Sequence, residues 1–142
     1  MHWLIFAILS AVFAALVAIF GKIGLQNIDT NTATAIRAII MAIFLTAIVL
    51  IEGKLHDFRT IFINNKTIFY IVLSGIAGAL SWLFYFIALK GAKISQIVPI
   101  DRLSVIFALL LAFIFLGEKI SWQAWIGAGL VVIGGVIIAL TN

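Results

Sequence analysis

The chain has 142 residues, 65% hydrophobic and 10% charged, with no cysteine and a formal net charge of +4. Soluble domains are about 45–50% apolar and about 25% charged, so this composition belongs to an integral membrane protein and excludes a water-soluble enzyme domain. The missing cysteines exclude disulfides and thiol chemistry, and the basic residues sit mainly at helix ends, where they set topology, rather than in a patch for nucleic acid.

A membrane helix needs roughly 20 apolar residues to cross about 30 Å of hydrocarbon. Five stretches meet that length, at about 3–20, 32–51, 67–89, 94–116 and 122–140. They are too long, and alternate too little, to be strands of a β-barrel. Span one carries a small-residue stripe, Ala7, Ser10, Ala14 and Ala18, suited to close helix packing. It lacks the positive start and small-residue cleavage site of a signal peptide. Span two contains one charge, Arg37.

The connector Glu52–Lys66 holds Glu52, Lys54, His56, Asp57, Arg59 and Lys66. Alternating charges of this kind are expected to be a solvated interfacial segment. Span three repeats Ser74, Gly78, Ser81 and Tyr85 along one face, flanked by Trp82 and Phe86. Small residues and hydroxyls there serve either helix packing or the lining of a polar path. Tyr85 also fits an interfacial belt, whereas Trp82 lies deeper than belt aromatics do.

Span four is the unusual one. Its first half holds Gln96, Pro99, Asp101, Arg102 and Ser104. A charge near a helix centre costs about 2.5–3.5 kcal/mol on insertion scales, so such groups normally face protein or water. Pro99 removes a backbone donor and frees the carbonyl of Ser95. That fits a kink beside a wet cavity and equally a simple bend. Asp101 and Arg102 point about 100° apart and cannot pair on one helix face. Arg37 and Asp101 both lie roughly 8–11 Å inside helices that start on the same side, at about 1.5 Å per residue. Arg37 is therefore the in-chain candidate to pair with Asp101, and Arg102 is left for snorkelling or for a solute. A buried Asp–Arg pair can also be purely structural. Span five offers Ala124, Gly127, Ala128, Gly134 and Gly135 for packing, with Trp122 and Trp125 as interfacial anchors.

Beyond Arg37 and Arg102, Lys54, Arg59, Lys66 and Lys119 fall on the N-terminal side and Lys22, Lys90 and Lys93 on the other. This small bias leaves two topologies open: a cytoplasmic N-terminus, or copies inserted both ways and paired antiparallel. There is no nucleophile–base pair, phosphate loop or metal-ligand spacing, and His2 and His56 stand alone. No enzyme activity, cofactor or metal is expected.

Residues from SWLFYFIAL through the GAKIS turn, PIDRLS and FLGEKISW, together with FGKIGL closing span one, resemble an EamA domain of the drug/metabolite transporter superfamily. The ordered set, more than any one motif, carries the likeness across the whole chain. It implies an all-α membrane protein of five transmembrane helices forming one EamA-type repeat, residues 1–142, of a helical transporter bundle. Many relatives have two such repeats of opposite orientation, so the resemblance implies pairing, as an antiparallel homodimer or a heterodimer with a similar half. It further implies a secondary transporter of small metabolites, amino acids or drugs working by alternating access in the cytoplasmic membrane. Related four-span multidrug proteins couple protons through a carboxylate in span one. This chain has none there, which leaves Asp101 as the carboxylate well inside a span. On this reading Arg37, Asp101 and Arg102 form the polar gate or coupling site, and Ser81, Trp82 and Tyr85 line the path. The alternatives are a non-transporting partner subunit and a carrier of lipids or lipid-linked sugars.

Overall fold

The computed structural model describes residues 2–141; the side chain of Arg59 lies outside the described residues. The described chain is helical, without strands. Its helices are α1 (His2–Gly24), α2 (Thr30–Ile51), α3 (Leu55–Ile63), α4 (Asn65–Gly91), α5 (Ile94–Asp101), α6 (Ser104–Leu111) and α7 (Trp122–Thr141), with a π-helical turn at Ala112–Leu116. Five stretches are long and apolar enough to cross a membrane: α1, α2, α4, Ile94–Leu116 and α7. The protein is an all-α membrane protein of five spans.

Side-chain caps explain where several spans begin. Asp29 Oδ2 accepts from the backbone N–H and the hydroxyl of Thr32, each at 2.8 Å, so α2 starts at Thr30. Asn64 Oδ1 accepts from Thr67 N–H at 3.1 Å at the head of α4. Ser121 Oγ accepts from Ala124 N–H at 3.3 Å at the head of α7. Each satisfies one of the donors that a helix start leaves unpaired. The spans run a few residues past their apolar cores because of these caps, and α1 continues through Lys22 to Gly24.

Two features depart from the sequence reading. The Glu52–Lys66 connector is not simply a solvated loop: it contains α3, which carries Leu55, Phe58 and Phe62 at i, i+3 and i+7. That spacing makes one apolar stripe, the pattern of a helix lying in an interface, and all three side chains are exposed. Polar side chains at i+1 and i+2 masked the period. The fourth span, in which a kink at Pro99 is expected, is divided two residues later. After Asp101 the ladder shifts to i→i+3 bonds, with Arg102 N–H to Pro99 O at 3.2 Å and Leu103 N–H to Ile100 O at 2.9 Å. Val105 and Ile106 repeat the shift onto Arg102 and Leu103, and regular helix resumes as α6.

By compactness the chain forms two units, Leu25–Ile87 and the joined ends Met1–Gly24 with Ala88–Asn142. In the unit of joined ends, α5 packs on α7 and on α1, and α6 packs on α7. Ala18, Leu89, Ala128 and Gly135 are buried there. In the other unit Leu25, Thr30 and Phe86 are buried. Most large apolar side chains on the spans are exposed. Acyl chains solvate them as well as protein does, so helix association in a bilayer rests on close packing and polar contacts instead.

One such close contact joins α5 and α7. A Cβ built on Gly135 would stand 2.8 Å from the carbonyl oxygen of Pro99. Only glycine permits this approach. A second contact is polar: Lys22 Nζ donates to Leu89 O at 2.6 Å and to Ala92 O at 2.8 Å. A cation on the orphan carbonyls at the end of α4 also complements that helix's dipole.

Candidate functional site

In the unit Leu25–Ile87, Arg37 is the eighth residue of α2, about 10 Å along the helix axis from its start. Trp82, Tyr85 and Phe86 stand at i, i+3 and i+4 on α4, so their rings gather on one flank. Trp82 and Phe86 stack with centroids 5.6 Å apart and 24° between planes. Tyr85 meets both edge-on, at 5.8 and 5.7 Å. The guanidinium of Arg37 lies over this pair, its Cζ 3.9 Å from the Trp82 centroid and 4.4 Å from that of Phe86.

Magnitudes show what the rings achieve. Inserting an arginine near a helix centre costs about 2.5–3.5 kcal/mol on insertion scales. A desolvated cation–π contact returns about 2 kcal/mol. Two rings therefore offset most of the charge penalty without any carboxylate. They leave one donor unanswered: Arg37 Nε is shut off from solvent and has no hydrogen-bond partner. A buried donor in that state costs roughly 1–3 kcal/mol. Among the described residues of this unit, the ion pair present is Lys54–Glu52, at 2.7 Å in the connector.

The sequence placed Arg37, Trp82 and Tyr85 in one half of their spans, and the structure brings them together. It adds Phe86, which the sequence showed only as a flank of the Ser74–Tyr85 stripe; its i+4 spacing from Trp82 was the available signal. Ser81 is exposed.

Pro99, Asp101 and Arg102 belong to the unit of joined ends. Gln96, one of the polar oddities of this span, acts locally. Its Oε1 accepts from Lys93 N–H at 3.2 Å and caps the start of α5. Asp101 ends α5 and Arg102 occupies the turn after it; both are exposed. Their divergence separates their surroundings. Arg102 lines a shallow cleft of about 350 Å³ with Val98, Pro99, Leu130, Val131, Gly134, Gly135 and Ile138, while Asp101 is not among its walls. The glycines of α7 leave the room for it. Arg37 and Asp101 lie in different units, and their pairing remains an expectation from sequence.

Outside the spans, the Glu52 carboxylate bonds Lys54 Nζ and holds that ammonium above the ordinary lysine value. A raised folded value means this contact is intact below the ordinary lysine range and, through the lysine's own titration, is lost as pH rises past it.

The sequence profile of the EamA-like transporter family matches residues 1–140. A protein of Sinorhizobium sp. described as an uncharacterized transporter in the cobO 3′ region is 36% identical over 138 residues, covering 97% of this chain and 96% of that protein. An uncharacterized protein of Methanocaldococcus jannaschii is 25% identical over 139 residues, covering 98% of this chain and 97% of its own. No solved structure matches the chain.

Proposed function

Starting from the fact that this chain belongs to the EamA-like transporter family, we propose that it is a secondary transporter or exporter of small organic solutes. It works by alternating access in the cytoplasmic membrane, as a dimer of five-span subunits each acting as one domain. The family and the relative named as a transporter point to a multi-pass membrane transporter rather than an enzyme. Both relatives match this chain over nearly their full lengths, which supports the five-span repeat as the working subunit. An antiparallel partner supplies the second repeat, and the near balance of loop lysine and arginine supports insertion in both orientations.

The observation that carries the site is Arg37, a cation inside a span held by ring faces with an unanswered donor. Charged groups placed so within the membrane mark solute paths by default. In this reading Arg37 faces the solute, with Ser81, Trp82 and Tyr85 along the path. Asp101 and Arg102 form the gate or coupling site beside the break after Pro99. The test is solute flux in proteoliposomes containing the purified protein alone. Arg37→Gln abolishes flux, and an Arg37→Asp, Asp101→Arg exchange partly restores it where the two pair. Undiminished flux in the Arg37→Gln protein would exclude this site.

The cleft at Arg102 favours one second reading. Its walls are almost wholly apolar, with the stem of Arg102 among them, a surface suited to an acyl chain, as a lipid carrier would need. Movement of fluorescent anionic lipid between leaflets, lost in Arg102→Gln, distinguishes this reading from solute transport.

A further inference from the structure

The solute site proposed at Arg37 has a definite electrostatic demand, and the ligand class inferred from it rests on that reading. From Thr30 to Ile51, Arg37 is the one charged residue, and α4 carries charge only at Lys66 and Lys90, near its two ends. Ring faces of Trp82 and Phe86 cover the guanidinium at 3.9 and 4.4 Å. Ring faces are acceptors of charge, not of directed hydrogen bonds, and they engage a guanidinium across its plane. The N–H edge is a separate resource. It is a planar fork matched to two oxygens of one oxyanion. Its Nε is sealed from solvent and unpartnered, so an incoming ligand engages the terminal Nη pair.

We propose that Arg37, Trp82 and Phe86 form a receiving site for a small organic monocarboxylate with an apolar body. The carboxylate takes the N–H edge of Arg37 and supplies a counter-charge, since neither α2 nor α4 carries an acidic residue, while the apolar body lies against the aromatic cluster with Tyr85. A monoanion is preferred over phosphate on charge alone. One guanidinium neutralises one carboxylate, whereas a dianion would leave a net negative charge inside the membrane. A neutral amide offers one oxygen and no charge. A cation would meet Arg37 as a like charge.

The full chain in lipid nanodiscs, with Trp3, Trp122 and Trp125 replaced by phenylalanine, leaves Trp82 as the emission reporter. Benzoate is titrated against benzamide, benzamidine and inorganic phosphate. Saturable binding of benzoate, with benzamide weaker by roughly 10- to 100-fold, is expected from loss of a charge-assisted bidentate bond. Arg37→Gln abolishes the benzoate response. Arg37→Lys weakens it at least about tenfold, because an ammonium keeps the charge but not the fork. Equal binding of benzoate and benzamide, tighter binding of benzamidine or phosphate, or a benzoate response that appears only with Asp101→Asn would each overturn the proposal. The last outcome would make Asp101 the counter-charge. The ligand comparison leaves the Arg37 site unaltered, so it decides the matter even where Arg37 variants do not fold. Flux measurements separate the two readings. Benzoate bound without any solute moved sinks the transporter and keeps the site. Solutes moved with no benzoate bound sinks the site and keeps the transporter.

Discussion

Arg37 tolerates its place in a span because Trp82 and Phe86 cover its guanidinium. The two residues should then be energetically coupled. Trp82→Leu and Arg37→Met are expected to destabilise less together than the sum of each alone, with a coupling of about 0.5–2 kcal/mol. A double-mutant cycle on thermal unfolding in detergent reads it; additive effects would mean the ring contact contributes nothing. Sequence made this cluster half legible. Arg37 was conspicuous as a lone charge in span two, and Trp82 as an aromatic too deep for an interfacial belt. Its pairing with rings could not be foreseen, because a charge in a span calls first for an opposite charge. That the rings offset most of the penalty follows from distances of about 4 Å that only folding creates.

Between helices, the contact of α5 with α7 turns on one of two neighbouring glycines. Gly135 faces Pro99 O so closely that an added methyl must displace backbone, whereas a Cβ on Gly134 meets nothing within 4 Å. Gly135→Ala should destabilise by about 1–3 kcal/mol through overpacking. Gly134→Ala should be neutral or gain up to about 1 kcal/mol from helix propensity. Thermal midpoints of the two variants check this; equal midpoints would refute the contact. Both glycines belonged to one small-residue stripe in the sequence, and stripe membership alone does not say which one meets a backbone oxygen. Lys22 makes the second such contact, and sequence reading left it as a topological charge in a loop. It donates to two carbonyls at the end of α4. Lys22→Met is expected to cost about 1.5–3 kcal/mol, the range for bonds to a charged group. Lys22→Arg should recover part of that. Hydrogen exchange confined to Leu89–Lys93 would show whether the loss is local to this helix end.

For the protein in its bilayer, the deciding quantity is orientation. Loop charges are nearly balanced between the two sides, and the proposed antiparallel pair requires both orientations in one membrane. C-terminal fusions to two reporters, one active in the cytoplasm and one outside it, should both give signal. Shifting the balance by adding lysines to the Gly117–Ser121 turn should bias insertion and lower flux, since unequal populations leave copies without antiparallel partners. Unchanged flux at a strongly biased orientation would refute the antiparallel dimer.

The class of protein, the number of spans and their approximate limits were all readable before any coordinates. They follow from hydrocarbon thickness and the cost of exposing polar groups to it, which act on composition over about 20 residues at a time. Arg37, Asp101 and Arg102 stood out for the same reason, because charge in such a setting is costly wherever the chain goes next. What each polar residue touches emerged only on folding: Gln96 caps its own helix, Arg102 lines a cleft, Lys22 closes the end of α4, and Arg37 rests on two rings. So did α3 and the break after Asp101. The contacts of Lys22 and Arg37 join residues up to 70 positions apart within a few ångströms, a distance scale on which neither hydropathy nor spacing carries information, whereas the Gln96 cap and α3 are local patterns hidden among polar neighbours.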